Sequence, residues 1–97
     1  MKITLSKEFE YKGEFVTDLD LDLEGLTGND CIAAQEDLLA GGIVSVAWEM
    51  DKRYQAALAA RALKIPVEDV KDLPLRDFTL ITIQVSNFLL GVSDVII

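Results

Sequence analysis

The stretch that most constrains this chain is Leu19–Asp30, Leu-Asp-Leu-Asp-Leu-Glu-Gly-Leu-Thr-Gly-Asn-Asp. Leu19, Leu21 and Leu23 alternate with Asp18, Asp20, Asp22 and Glu24. A period of two puts the leucines on one face of a strand and the carboxylates on the other. Gly25 breaks the alternation. Thr27, with Asp30 three residues on, is a helix start in which hydroxyl and carboxylate cap free backbone N–H groups. The chain reads as strand before this stretch and mostly as helix after it.

The strand reading extends back to residue 2. Ile3, Leu5, Phe9 and Tyr11 are apolar at odd positions, and Lys7 interrupts them where a bulge or an edge is expected. Lys12-Gly13 is a turn signal, since glycine takes the positive φ of a tight hairpin. Residues 2–24 are therefore predicted to form a β-hairpin. A lone hairpin is marginal in water, so its leucine face needs cover from the helices that follow.

The first helix is predicted over 28–40, with Cys31, Ala34 and Leu38 on one side, Ile32 and Leu39 beside them, and Gly41-Gly42 as the stop. The second is predicted over 46–63, with a stripe of Ala47, Met50, Tyr54, Leu58 and Ala62. Its alanines between 56 and 62 favour helix and permit close approach of a neighbour. Ile65-Pro66 ends it, and Val67–Asp72 has room for one short helical turn.

The third helix is predicted over 74–90, opened by Pro74 and by Asp77 in its first turn. It carries two apolar stripes. One is Phe78, Ile81, Val85, Phe88 and Leu89; the other is Leu80, Ile83 and Leu90. Thr79, Thr82 and Ser86 form a polar seam. A strand reading competes over 78–90, because Ile81, Ile83 and Val85 alternate with polar residues and are β-branched. So long a run without a turn signal exceeds the usual strand length, which favours the helix. The expected fold is α+β in a single domain over 1–97: an N-terminal β-hairpin packed on a small bundle of about three α-helices, with 91–97 as an apolar tail that packs back or meets a partner.

Composition narrows the function classes. Apolar residues make up 51% of the 97, and the net charge is −8. Nucleic-acid binding needs clustered Lys and Arg, so no nucleic-acid partner is expected. The charge is uneven: residues 1–51 hold twelve acids and three bases, residues 52–97 five acids and six bases. A basic partner surface, or solubility alone, accounts for that acidity. The single cysteine allows no intrachain disulfide and suits a reducing compartment. The start is charged again by residue 7, so no secretory signal is expected. The apolar runs are too short for a membrane span of about 20 residues.

Chemistry-bearing motifs are sparse. Counted from Asp18, a calcium loop needs glycine at its sixth position and glutamate at its twelfth, where this chain has Leu23 and Asn29. A solvated strand face is the better reading, and no metal or cofactor is expected. Cys31 lies near a predicted helix N-terminus, yet the chain has no histidine to serve as its base. A small buried thiol is the better reading. The expectation is a protein that is not an enzyme. Interaction candidates are Trp48, a residue type enriched at hot spots, and the first stripe of the third helix: Phe78, Ile81, Val85, Phe88 and Leu89. A central core helix competes evenly with an interface there.

The order of features also carries a resemblance. A short hairpin leads into Leu21-Asp-Leu-Glu-Gly-Leu-Thr-Gly-Asn-Asp30. Ala59-Ala-Arg-Ala-Leu-Lys-Ile-Pro-Val-Glu-Asp-Val70 follows, then Leu73-Pro-Leu-Arg-Asp77, and a final helix ends in Phe88-Leu-Leu-Gly91. Over roughly residues 3–91 this resembles the tail assembly chaperones of long-tailed phages, particularly the tail protein E type of contractile-tailed phages and related prophages. The resemblance implies a non-enzymatic protein of the host bacterial cytoplasm, absent from the finished virion. Its implied partners are the tape measure protein, which it keeps soluble, the tail tube protein, which it helps recruit, and further copies of itself. The alternative is a structural component of a phage tail or tail-like particle. A holdase needs apolar surface and net charge rather than a pocket, and the sequence supplies both.

Overall fold

Strand β1 (Lys2–Tyr11) and strand β2 (Glu14–Asp20) form a two-stranded antiparallel hairpin in the computed structural model, which describes residues 1–11 and 13–91. Gly13 takes the positive φ (83°) expected at the turn. The register pairs Lys2 with Asp20 and Thr4 with Asp18, then shifts so that Phe9 faces Val16. Residues 5–8 thus stand opposite Thr17 alone, a bulge centred where Lys7 interrupts the alternation.

A bulge strips backbone groups of their ladder partners, and here one is satisfied from far along the chain. The Ser6 N–H donates to both carboxylate oxygens of Asp77 (2.9 and 3.1 Å), and the Ser6 hydroxyl donates to Oδ2 (2.9 Å). Asp77 is buried in the first turn of the last helix. Its carboxylate therefore ties the hairpin to that helix and also sits at the favourable end of the helix dipole.

The leucines of the opening stretch behave as the alternation predicts. Leu19, Leu21 and Leu23 are buried, and Asp18, Asp20, Asp22 and Glu24 are exposed. The hairpin ends earlier than predicted, however, at Asp20 rather than residue 24. Leu23–Gly25 is a 3₁₀ turn, capped by the Asp22 side chain accepting from the Gly25 N–H (3.2 Å). A side chain at Gly25 would collide with that cap, 2.8 Å from the Asp22 carboxylate.

Helix α1 (Gly28–Ala40) opens with the predicted capping box: Asn29 N–H donates to Thr27 Oγ1 (3.3 Å), and Thr27 N–H to Asp30 Oδ2 (2.9 Å). Of its predicted apolar side, Ala34 is buried and Cys31 and Leu38 half-buried, whereas Ile32 and Leu39 are exposed. Helix α2 (Lys52–Leu63) starts six residues later than predicted. Asp51 caps it by accepting from Arg53 N–H (2.9 Å), and residues 48–50 form a separate 3₁₀ turn. Helix α3 (Val67–Lys71) is the short turn between the two prolines, and helix α4 (Leu75–Leu90) is helical throughout, so the strand alternative for 78–90 falls. The fold is α+β, a hairpin followed by four helices. The predicted tail lies, from residue 92 on, outside the described residues.

Helix α2 is the hub. It packs against α1, α3 and α4, and eight of its twelve residues are buried, among them Tyr54, Leu58 and four alanines. Alanine puts little bulk into the space between helices, so neighbours come close without a cavity. From α4 the core takes Ile81 and Val85, both fully buried, and from α3 Val70. Burying each such side chain contributes about 2 kcal/mol.

Candidate interaction surface

The two apolar stripes of α4 part company in the fold. Ile81 and Val85 are 0% exposed and meet the core, and Phe78 and Leu89 are half-buried against it. Two of the five residues proposed on that stripe as a client surface are therefore core, a correction with a simple cause. A helix docked on α2 must turn one stripe inward, and periodicity alone does not say which. Leu80, Ile83 and Leu90, the other stripe, are 38, 40 and 51% exposed and share one side of the helix. Phe88, at 42%, is the one member of the proposed set with a large exposed fraction.

The polar seam is also partly inside. Thr82 is fully buried, its hydroxyl accepting from Lys52 Nζ (2.8 Å) and donating to the Phe78 carbonyl (3.0 Å). This contact joins α2 to α4 and satisfies a hydroxyl that would otherwise be costly to bury. Trp48 is not on a helix, as predicted, but in the 3₁₀ turn before α2. It is half-buried with its ring centroid 5.8 Å from that of Tyr54. A ring so packed is a lid on the core more than an extended anchor.

Around Phe88 the surface is hollowed. One hollow of about 250 Å³ lies between Phe88, Met1, Leu21 and Leu23, with Gln84 and Asn87 on its α4 side. A second, of about 230 Å³, is walled by Leu26, Cys31, Leu58 and Leu89 and shares Leu23 and Phe88 with the first. Asn87 Nδ2 is buried and has no acceptor among the described residues. Asn87 also falls between Ile83 and Leu90 on the exposed stripe. Apolar walls, an exposed stripe and one unused donor thus adjoin. Leu21 and Leu23 belong to the opening alternation, so the segment just past β2 supplies one bank of the groove and α4 the other.

Four titratable groups are held away from their ordinary range by structural contacts. The Thr27 backbone N–H and then the Arg61 guanidinium, whose Nε donates to Asp30 Oδ1 (2.8 Å), hold the Asp30 carboxyl below its ordinary range. This pair fastens the start of α1 to α2. The Arg53 guanidinium, with Nη2 2.6 Å from Asp51 Oδ2, holds the Asp51 carboxyl well below the usual range against partial burial, and the same pairing raises Arg53. Burial pushes the Tyr54 hydroxyl up to about 12, assisted by the bond it donates to Cys31 Sγ (2.9 Å). That sulfur also accepts from Gln35 Nε2 (3.6 Å). Among the described residues no group of three or more His, Cys, Asp or Glu is placed to hold a metal ion, and no helix is long and apolar enough to cross a membrane.

Fold and surface together define a small α+β protein whose distinctive features are uncovered apolar faces. The sequence matches the model of the family described as phage tail assembly chaperone proteins, E, or 41 or 14, over residues 2–90, and the chain belongs to that family. No curated protein and no solved structure matches it. The protein is thus a phage tail assembly chaperone.

Proposed function

We propose that this chaperone binds the tape measure protein while the tail is being built. It keeps that long protein soluble, helps recruit tail tube subunits, associates with further copies of itself, and leaves before the virion is complete. It works without catalysis, in the cytoplasm of the host. The observation that carries the reading is the outward face of α4: Leu80, Ile83 and Leu90 stay exposed in a fold that buries Ile81 and Val85 a few residues away. Contiguous apolar surface of this kind marks a partner site. Phe88 and the two hollows beside it extend the face toward the hairpin.

Co-expression with the tape measure protein encoded in the same phage or prophage tests this. The long protein should move from the insoluble to the soluble fraction and co-purify with the chaperone. A Leu80→Glu/Ile83→Glu double variant should lose that effect while keeping its thermal unfolding transition. A tape measure protein no more soluble with the chaperone than without it would sink the proposal. Mass spectrometry of purified particles should find the chaperone missing; a fixed copy number there would favour a structural subunit.

A further inference from the structure

The two hollows beside Phe88 have a shape and a composition that narrow what can fill them. They share Leu23 and Phe88 as a dividing wall, with Cys31 and Leu89 on one side and Gln84 and Asn87 on the other. Among the described residues, none that lines the Cys31 hollow is charged. Asn87 Nδ2 is buried with no acceptor among the described residues. A buried amide donor costs free energy until a carbonyl meets it. An extended peptide segment supplies both needs, aliphatic side chains at alternate positions and a backbone carbonyl between them.

Such a segment is attached at the edge of the groove. Helix α4 ends at Leu90, and Gly91 takes the left-handed conformation (φ 70°), its N–H donating to the Asn87 and Phe88 carbonyls. This cap turns the chain off the helix axis. Leu89, a wall of the Cys31 hollow, stands just before it. Residues 92–97, outside the described part, read Val-Ser-Asp-Val-Ile-Ile, aliphatic at all but Ser93 and Asp94. From Gly91 back to Gln84 is about 10 Å of helix at a rise of about 1.5 Å per residue. A segment the length of 92–97 reaches about 20 Å when extended, enough to lie along the whole groove.

We propose that residues 92–97 fold back over Phe88 and fill both hollows, Val95 in the one walled by Cys31 and Ile97 in the one walled by Asn87. Side chains two apart on an extended segment share a face at a spacing of about 7 Å, which suits two hollows divided by a single wall. A backbone carbonyl between them accepts from Asn87 Nδ2. Asp94 falls on the opposite face, in solvent, away from the carboxylates of Asp22 and Glu24 that line the Asn87 hollow.

A tethered segment competes at an effective concentration in the millimolar range. It is therefore the resident occupant of the groove, and a partner segment enters only by displacing it. Residues 92–97 are then a built-in cover on the part of the apolar face around Phe88. Displacement by a client rests on the proposed function; the docking does not, and each has its own readout.

In the full chain, Val95→Cys brings a small apolar thiol to Cys31, the single native cysteine. Mild oxidation should join the two within one chain, about tenfold faster than in an Asp94→Cys chain, whose thiol faces away. Mass spectrometry and non-reducing electrophoresis read the product. Equal rates for the two variants, or a disulfide between chains instead of within one, would overturn the docking. A second readout adds no cysteine. Val95→Ser/Ile97→Ser should raise the rate at which a soluble aromatic disulfide modifies Cys31 by about fivefold, with the circular dichroism spectrum unchanged. An unchanged rate would overturn the docking as well. For displacement, tape measure protein diluted out of denaturant should stay in solution with the reduced Val95→Cys chain, and several-fold less of it with the oxidised one. Equal protection by both forms would overturn the cover. Protection by neither form, nor by the native chain, would refute client binding instead, and the disulfide rates would still decide where residues 92–97 lie.

Discussion

Helices α2 and α4 use their apolar residues in opposite ways. Helix α2 is built largely of alanine, carries Lys52, Arg53 and Arg61, and yet buries eight of its twelve residues. Helix α4 is the most apolar of the three long helices, but buries only Asp77, Ile81, Thr82 and Val85 of its sixteen residues, two of them polar. Burial here follows position rather than hydrophobicity. Helix α2 lies among three other helices, and small side chains let all three approach. Helix α4 covers α2 on one side and meets the β1 bulge through Asp77, which leaves its remaining apolar side uncovered. The surplus of apolar residues on a peripheral helix, and not the richest alanine run, therefore reaches the solvent.

The sharpest way to break this contrast is at the point where α4 does enter the core. Ile81→Ala should cost about 4 kcal/mol in chemical denaturation, by lost transfer energy and a cavity against α2. A loss under 1 kcal/mol would mean that α4 is not seated as described. Asp77→Ala should cost about 2 kcal/mol, because the Ser6 N–H of the bulge loses a charged acceptor in a partly buried setting. Ser6→Ala should cost less, since the backbone bond survives. On the hub helix, Ala59→Leu should destabilise by about 2 kcal/mol through overpacking at a residue with no exposed surface. If it is neutral, α2 is not closely enclosed.

Smaller effects separate the helix ends from the faces. Asp30 and Asp51 have folded pKa values below their unfolded value of 3.8. Each holds fewer protons in the folded chain than in the unfolded one, so their stabilisation is complete at neutral pH and is lost as pH falls below about 4. Asp51→Asn should flatten that acid limb in melting temperatures measured against pH. The opposite sign applies to Tyr54, with a folded pKa of about 12 against 10.0 unfolded. In a Tyr11→Phe background, stability should fall as pH rises from about 10 toward 12, with tyrosinate absorbance appearing late. Smallest of all, Leu80→Ser should change stability by less than about 0.5 kcal/mol. The same change should measurably reduce solubilisation of the tape measure protein, which separates partner surface from core on a single helix.

The sequence by itself determined the local elements. Strict alternation marked Leu19, Leu21 and Leu23 as a buried face, and they stay buried although the strand stops at Asp20 and Leu23 lies in the 3₁₀ turn. The Thr27–Asp30 spacing set the start of α1, since a capping box is a contact across three residues. Pro66 and Pro74 separated the last three helices. The resemblance carried by these pieces in order led to the right family. Tertiary structure decided everything that depends on which face meets which. The start of α2 moved to Lys52 because Asp51, paired with Arg53, caps better than the residues before it, while Trp48 folded back on Tyr54. Which stripe of α4 faces solvent was undetermined by period, as both stripes repeat every three to four residues. The bond between Ser6 and Asp77 spans 71 residues, and no pattern along the chain encodes a partnership of that range. Short-range geometry is written in spacing; the surfaces a partner meets are made by packing.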